Sequence, residues 1–375
     1  MPIEHNRPLK SLTTFKIGGR AREFLDLAIP AELPAAIHYA STHGLQILIL
    51  GGGSNMLVSD RGFEGLVIHL ANKGMELQDQ TRLRVASGER WDDVVKFAAH
   101  EGLWGIENLS RIPGSTGAVA VQNVGAYGQE IKNVLVTVEV FDRRSNSFRT
   151  LSKEECQFTY RKSIFNTQEK GRYIILHTTL ELSKIPHPNL SYPDVKIWFE
   201  RNPAPSLAEI REAIQSIRDR KFPFPAESVE GNAGSFFKNS VLTDDQFREL
   251  ERNFARNLPE YAEQLRRCAP ESGASTSDFG PRVRVPSAFI LEACGLKGFR
   301  RGDVQLNPSQ PVIVLNVTGQ ATADEVLSVV REVRALVREK TGLHLSTEPE
   351  LIGFTEAELR GYGFIDEEIQ RYINK

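Results

Sequence analysis

The pattern of apolar and polar residues near the start of the chain predicts alternating helix and strand. Between Pro30 and Gly44, apolar side chains recur at helical spacing and the glycine supplies a stop signal, so we predict a helix there. The run Leu45–Leu50 is short and apolar, as expected of a buried strand, and Gly65–Leu70 has the same character.

A second region begins near Met75 and mixes helix and strand. Trp91–His100 has the apolar spacing of a helix, whereas Val134–Phe141 and Tyr173–Leu182 are β-rich with partial alternation. Ser206 and Glu209 form a capping-box signature, and the helix that follows should run to Lys221-Phe222-Pro223, where prolines break it. We take this break as a domain boundary.

Two further capping signals lie in the third region. Thr243 precedes Gln246 by three residues, and Thr322 precedes Glu325 in the same way. The second signal predicts a long helix that ends at Gly342. The polar segment Glu271–Gly280 is predicted to be a loose loop.

Composition excludes several classes of function. The net charge of −2 provides no basic field for nucleic acid or an anionic membrane, so an anion site must be local. The cysteines Cys156, Cys268 and Cys294 form no C-x-x-C pair, which argues against zinc and dithiol chemistry and suits a reducing cytoplasm. We find no signal peptide at the start, no apolar run near the ~20 residues of a membrane span, and no metal-binding histidine pair.

Two glycine-rich segments are candidates for binding a cofactor. Gly51-Gly52-Gly53-Ser54-Asn55 directly follows a predicted strand, so its backbone N–H groups can form a diphosphate cradle. Taken alone, a strand-ending turn is the favoured interpretation of this segment. Ile112–Tyr127 carries few charges and many small residues and amides, which suits the edge of a flat flavin ring. The alternative is a glycine-rich surface loop.

Other candidate residues are less specific by themselves. Gly231–Asn239 places Ser235 at the end of a glycine-flexed turn, with Phe236 and Phe237 as core anchors. Arg161, beside Tyr160, can bind a carboxylate, but from these residues alone a salt bridge at a domain seam is the favoured interpretation. Two glutamates in Glu348-Pro349-Glu350 are more often a solvated edge than a catalytic pair.

Together these segments resemble the UDP-N-acetylenolpyruvoylglucosamine reductase family. The similarity extends from Leu12–Gly19 to Glu348–Glu350 and is specific only in combination. It implies an α+β fold: a two-part FAD-binding region of the vanillyl-alcohol-oxidase (PCMH) type and a C-terminal α+β substrate-binding domain. The implied division is 1–74 and 75–222 for the two FAD-binding subdomains, 223–345 for the substrate domain, and 346–375 for a segment with the catalytic glutamate.

The resemblance also assigns residues. The implied catalytic set is Arg161 beside the enolpyruvyl carboxylate, Ser235 as proton donor and Glu350 as the closing acid. FAD would be bound non-covalently by Gly51, Gly52, Gly53, Ser54, Asn55, Pro113, Gly114, Ser115, Thr116, Gly117, Asn123, Gly125, Ala126 and Tyr127. Substrate would contact Tyr160, Tyr192, Lys221, Asn239 and Gln310, with Tyr192 on a loop that marks one of the two family subtypes.

The implied reaction is NADPH-dependent reduction of UDP-N-acetylglucosamine enolpyruvate to UDP-N-acetylmuramate, for peptidoglycan, by a cytoplasmic monomer. The chain departs from the family pattern in a long Asn253–Pro281 connection, in Pro286–Phe289 and in Asn307–Gln310. One alternative is a flavin oxidase of the same fold, which would more often tether its flavin through His or Cys. Another is a non-catalytic nucleotide-sugar sensor.

Overall fold

The first sheet carries one antiparallel pairing and two parallel ones. The computed structural model describes residues 1–221, 224–268 and 282–373. Strands of the first sheet follow the order β1-β2-β5-β3, with β1 antiparallel to β2 and with β2 and β3 both parallel to β5. The elements of this region are β1 (Glu4–Pro8), β2 (Arg20–Leu27), α1 (Leu33–Thr42), β3 (Gln46–Leu50), β4 (Met56–Val58) and β5 (Phe63–Leu70).

The second sheet is antiparallel throughout and follows the order β11-β10-β12-β7-β6. Phe141 and Ile174 from this sheet are buried with α1 and the first sheet, so the two sheets share a core. The elements are β6 (Met75–Leu77), β7 (Arg82–Ala86), α2 (Trp91–His100), α3 (Thr116–Val121), β8 (Gly125–Ala126), β9 (Gln129–Glu130), β10 (Leu135–Asp142), β11 (Ser147–Ser152), β12 (Tyr173–Glu181), α4 (Pro193–Trp198) and α5 (Leu207–Lys221).

The third region builds a sheet in the order β13-β18-β17-β16 and a separate pair, β14-β15. Its apolar side chains form a core cluster with the long helix α9. The elements are β13 (Gly231–Ser235), β14 (Ser240–Thr243), α6 (Asp244–Asn257), α7 (Ala262–Arg266), β15 (Arg282–Val285), α8 (Ser287–Ala293), β16 (Arg300–Arg301), β17 (Val304–Leu306), β18 (Ile313–Asn316), α9 (Ala323–Thr341), β19 (Glu350–Ile352), α10 (Glu356–Gly361) and α11 (Asp366–Ile373).

Helix boundaries agree with their local sequence signals. Helix α2 has the predicted bounds, and the capping boxes at Thr243 and Thr322 are both formed. Ser206 and Glu209 exchange the predicted hydrogen bonds before α5, and α9 ends at Gly342, which has φ 76°. Helix α3 was not predicted, because six residues are too few to show a helical period.

The turn predicted at Ser235 takes a different form in the structure. Gly231–Ser235 is a strand rather than a tight turn; its pairing with β18 shifts between Asn232 and Ser235, where Gly234 has φ 69°. A bulge of this kind redirects the last residue of a strand, so it takes the place of the expected turn. The predicted loop Glu271–Gly280 lies outside the described residues.

Strand β19 connects the C-terminal part of the chain to the first region. It pairs in parallel with β4, so that Glu350 lies opposite Met56. After it, Leu359 of α10, Phe364 of the connection and Ile369 of α11 join the core cluster of the third region. Within the described ranges, the helices lack a segment both long and apolar enough to cross a bilayer. No metal-like group of three His, Cys, Asp or Glu side chains occurs in that part of the chain either.

Candidate active site

Two glycine-rich loops form one surface by packing against each other. A Cβ on Gly52 would lie 2.6 Å from the Cα of Gly114, and one on Gly51 would lie 2.5 Å from the Oγ of Ser115. The Gly52 N–H donates to that same Oγ at 3.1 Å. We predicted that these glycines would let the backbone approach a cofactor. The structure shows that Gly52 is also required for loop packing, because a side chain there would collide with backbone atoms of the second loop.

One edge of this surface offers backbone donors. Gly53, with φ 58°, turns its carbonyl to the Thr14 N–H at 3.1 Å. Within the described part of the chain, the N–H groups of Gly53 and Ser54 have no hydrogen-bond acceptor. Consecutive N–H groups of this kind form a concavity that suits a diphosphate. The donor set therefore fits the dinucleotide expected from the sequence.

Asparagine side chains connect these loops to the rest of the site. Asn55 donates from Nδ2 to Gln122 Oε1 at 2.9 Å. Asn123, which has φ 47°, donates to Glu130 at 2.8 Å and to the Thr159 carbonyl at 3.0 Å. The Asn123 side chain thus orders the loop that presents Arg161, a role that its cofactor-binding assignment did not include.

Arg161 occupies a tight turn that is closed by the pairing of Thr159 with Lys162. Its φ of 56° is unusual for a side chain of this size, and its Nη2 donates to the Gly125 carbonyl at 3.0 Å. The Arg161 guanidinium lies 5.6 Å from the ring centre of Tyr160, and the Arg284 guanidinium lies 3.8 Å from the same ring centre. Several fixed contacts therefore direct the Arg161 guanidinium into the site.

Backbone hydrogen bonds place the segment that follows Ser235 beside the segment that leads to the two glutamates. The Glu348 N–H donates to the Phe236 carbonyl at 2.9 Å, and Lys238 N–H donates to Ser346 at 2.9 Å. These bonds place the backbone of Phe236 beside that of Glu348, and the exposed Ser235 directly precedes Phe236 in the chain. Phe236 and Phe237 are fully buried, as predicted, and hold the strand in the core.

Glu348 is the acidic group that faces Arg161. The Glu348 Oε1 lies 3.9 Å from the Arg161 Nε, and the Glu348 side chain is 18% exposed. Burial raises the pKa of Glu348 despite the opposing attraction of Arg161, Lys238 and Arg371. Burial and repulsion by Arg371 lower the pKa of Lys238 to about 8. The sequence suggested a role for neither side chain, because their charges meet only across distant segments.

Glu350 is held by two cations. Its Oε2 lies 2.9 Å from Lys170 Nζ, and its Oε1 lies 3.3 Å from Arg371 Nη2. The Glu350 N–H donates to the Asn55 carbonyl at 2.9 Å, which places this residue next to the first glycine-rich loop. Lys170 and Arg371 had no sequence signal, since each is an ordinary basic residue in its own segment.

Residues expected to contact substrate form a second group. The rings of Tyr127 and Tyr192 meet edge to face with centroids 5.1 Å apart, and Lys221 Nζ lies 5.6 Å from the Tyr127 ring. Lys221 also pairs with Asp194 at 2.7 Å, and although burial lowers its pKa, that ion pair makes the net shift upward. Burial raises the pKa of Tyr127.

Asn307 joins this group to the segment of Gln310. Its Nδ2 donates to the Lys221 carbonyl at 3.0 Å, and its Oδ1 accepts the Gln310 N–H at 2.9 Å. Asn307, which departs from the family pattern, therefore has a clear structural task. Asn239 is partly committed too, because its Oδ1 accepts the Ser287 N–H at 3.1 Å at the start of α8.

Comparison with known proteins identifies the family. Residues 225–352 match the C-terminal domain of UDP-N-acetylenolpyruvoylglucosamine reductase, and residues 27–150 match an FAD binding domain. The Streptomyces coelicolor UDP-N-acetylenolpyruvoylglucosamine reductase is 36% identical over 356 residues, which cover 93% of this chain and 90% of that protein. The chain belongs to this family.

Further relatives agree over almost the whole length. The reductase of Thermobifida fusca is 38% identical over 362 residues, covering 93% of this chain and 98% of that one. The crystal structure of the Thermus caldophilus reductase (MurB) superimposes with a TM-score of 0.64 at 25% identity and covers 94% of this chain and 99% of that one. The predicted family, the α+β fold with its FAD-binding region and the flavin-dependent oxidoreductase class are therefore confirmed.

Proposed function

We infer that this protein reduces UDP-N-acetylglucosamine enolpyruvate to UDP-N-acetylmuramate, with FAD as cofactor and NADPH as reductant. The observation that carries the inference is the convergence of Arg161, Ser235 and the Glu348–Glu350 strand beside the paired glycine-rich loops. This product is a precursor of peptidoglycan, so the enzyme serves cell-wall synthesis.

The glycine-rich loops are the part of the chain that suits FAD. The N–H groups of Gly53 and Ser54 would hold its diphosphate, and the sparsely charged 112–127 stretch would line its ring. When bound, FAD supplies the chemistry of taking hydride from NADPH and delivering it to the vinyl carbon of the substrate. We expect binding to be non-covalent, because the two loops carry no His or Cys as a tether.

Arg161 and Ser235 have complementary tasks in this proposal. Hydride addition leaves negative charge on the neighbouring carbon and on the substrate carboxylate, and the Arg161 guanidinium stabilises both by electrostatic preorganisation. Ser235 then gives its hydroxyl proton to that carbon. The backbone hydrogen bond between Glu348 and Phe236, the residue after Ser235, supports a role for Glu350 in orienting the serine or sharing its proton.

The tyrosine and lysine group is proposed to bind the nucleotide part of the substrate. Tyr160, Tyr192 and Lys221 present aromatic faces, hydroxyls and a cation, as a nucleoside diphosphate requires. Asn239 and Gln310 complete the proposed set. Tyr192 lies at the start of α4, and its contact with Tyr127 supports assignment to the subtype that bears this loop.

Several finer points are part of the same proposal. We divide the chain into FAD-binding subdomains at 1–74 and 75–222, a substrate-binding domain at 223–345 and a segment at 346–375 that carries Glu350. We propose a monomer that acts in the cytoplasm. Unpaired Cys156, Cys268 and Cys294 support a reducing compartment.

The test begins with an absorbance spectrum of the purified protein. We expect flavin bands that remain in the supernatant after acid precipitation of the chain. NADPH should bleach these bands without oxygen, and the enolpyruvyl sugar nucleotide should restore them with one equivalent of UDP-N-acetylmuramate formed. A flavin that stays on the chain, or a colourless protein that binds the nucleotide sugar, would contradict the proposal.

A further inference from the structure

The C-terminal helix α11 contacts the segment that carries both glutamates, residues 347–350. Arg371 on this helix donates from Nη1 to the Thr347 carbonyl and from Nη2 to the Glu348 carbonyl, both at 2.9 Å. Its Nη2 also lies 3.3 Å from the Glu350 carboxylate. One guanidinium therefore contacts Thr347, Glu348 and Glu350, and it fixes the path of the backbone between the two glutamates.

Lys170 completes the arrangement from the opposite side. Its Nζ donates to Glu350 Oε2 at 2.9 Å and to the Arg371 carbonyl at 2.8 Å. Each carboxylate oxygen of Glu350 thus meets its own cationic partner, and Lys170 ties α11 to the FAD-binding region. Hydrogen bonds between ionised groups are shorter and more strongly directed than neutral ones, so this arrangement restricts rotation of the carboxylate.

Other side chains make α11 a rigid support. Tyr372, which is 5% exposed, hydrogen-bonds to the Thr347 hydroxyl at 2.6 Å. Glu368 forms a buried ion pair with Arg334 at 2.6 Å and a second contact with His344 at 2.9 Å. These contacts fix the helix to α9 and to the loop before the glutamates, so Arg371 is held on a well-packed element.

The helix lies beyond the residues that match the family's C-terminal domain. The family's C-terminal domain ends its match at residue 352, whereas α11 begins at Asp366. The support for Glu350 is thus supplied partly by a segment that the family's domain does not include. Side chains of α11 contact the segment that carries Glu350.

We propose that Arg371 and Lys170 are positioning residues for the reaction, and that they hold the Glu350 carboxylate in the orientation it needs beside Ser235. The proposal rests on the function proposed above. It makes the C-terminal helix part of the catalytic apparatus without giving it any contact with substrate.

The experiment measures the two half-reactions of the FAD-loaded enzyme separately by stopped flow. In Arg371→Gln, flavin reduction by NADPH should keep the parent rate, because that step needs no proton delivered to carbon. The limiting rate of reoxidation by the enolpyruvyl sugar nucleotide should fall roughly tenfold or more, with the apparent Kd of the nucleotide changed little. Arg371→Lys, which keeps the charge, should recover part of that rate.

Arg360→Gln is the matched control, since Arg360 lies in the same C-terminal segment and pairs with Glu356 and Asp366 on the surface. Both of its half-reactions should match the parent. If Arg371→Gln does not yield a flavin-loaded protein, Lys170→Met removes the other cationic partner of Glu350 while every residue of α11 is kept, and the same reoxidation defect is expected. Parental reoxidation in Lys170→Met and in Arg371→Gln or Arg371→Lys would overturn the proposal.

A double variant separates positioning from general damage. If Arg371 acts through Glu350, Arg371→Gln combined with Glu350→Gln should be little slower than Glu350→Gln alone. Full additivity, or equal slowing of both half-reactions by Arg371→Gln, would overturn the proposal. A parental reoxidation rate in Glu350→Gln would instead remove the proposed role of Glu350 and the positioning with it. Failure of NADPH to reduce the flavin of the parent enzyme would contradict the proposed function itself.

Discussion

Arg161 and Glu348 face each other across the proposed active site, with the arginine Nε 3.9 Å from the glutamate Oε1. The separation is larger than that of a tight ion pair, and the carboxylate is mostly buried. An arginine held in this way keeps its guanidinium oriented while leaving donors for a substrate carboxylate. The pair therefore prepares an anion-binding position before substrate arrives.

Glu348→Gln should change how stability depends on pH. Because the pKa of Glu348 is raised above its ordinary value of 4.5, the folded state binds more protons than the unfolded state as pH rises above that value. The contribution of Glu348 to the free energy of unfolding therefore falls with rising pH. Denaturant unfolding between pH 4.5 and 7 should show the variant gaining stability relative to the parent. A stability difference that stays constant over this pH range for Glu348→Gln would contradict its burial.

Ser235→Ala should separate the two half-reactions. The residue is exposed at the end of β13, so folding and flavin binding should survive loss of one oxygen. Flavin reduction should run near the parent rate, while reoxidation should slow by the ~10²–10⁴ typical of general acid catalysis. Ser235→Cys should retain more activity than the alanine variant. Equal slowing of both steps would make the serine a structural residue.

Lys221→Ala and Tyr192→Phe should weaken substrate capture more than chemistry. Both residues lie around Tyr127 and away from the Arg161–Glu348 pair in the contacts they make. Steady-state kinetics should show a raised KM with kcat largely kept, which is the pattern of lost uniform binding. Arg220→Ala, on the exposed side of the same helix end, serves as the control. A large fall in kcat at unchanged KM would assign Lys221 or Tyr192 a chemical role.

Gly52→Ala should lower the affinity for FAD and destabilise the protein. The new Cβ would lie 2.6 Å from the Cα of Gly114 and 2.9 Å from the Ser115 nitrogen, and backbone atoms yield less easily than a flexible side chain. Overpacking of this kind costs about 1–3 kcal/mol. Flavin titration and denaturant unfolding would measure both effects. Gly361→Ala, where an added Cβ meets open space, should change neither; parental FAD affinity in Gly52→Ala would show that the loops can separate freely.

The sequence by itself determined the features that depend on neighbouring residues. Capping boxes at Thr243 and Thr322, the bounds of α2 and the stop at Gly342 all follow from side chains within a few positions of each other. The burial of Phe236 and Phe237 was equally predictable, because large apolar side chains leave water wherever the fold allows. The family resemblance added the expected roles of Arg161, Ser235 and Glu350.

Tertiary structure alone decided which charges and loops meet. Gly52 needs to be a glycine because of Gly114, and Glu350 obtains its partners from Lys170 and Arg371. The partners of Glu348 likewise lie far from it in sequence. Such contacts arise where distant segments bring their side chains to one surface, and no local pattern encodes that meeting. Charge pairing depends on separation and burial in space, so the electrostatics of this site could be obtained only from the folded chain.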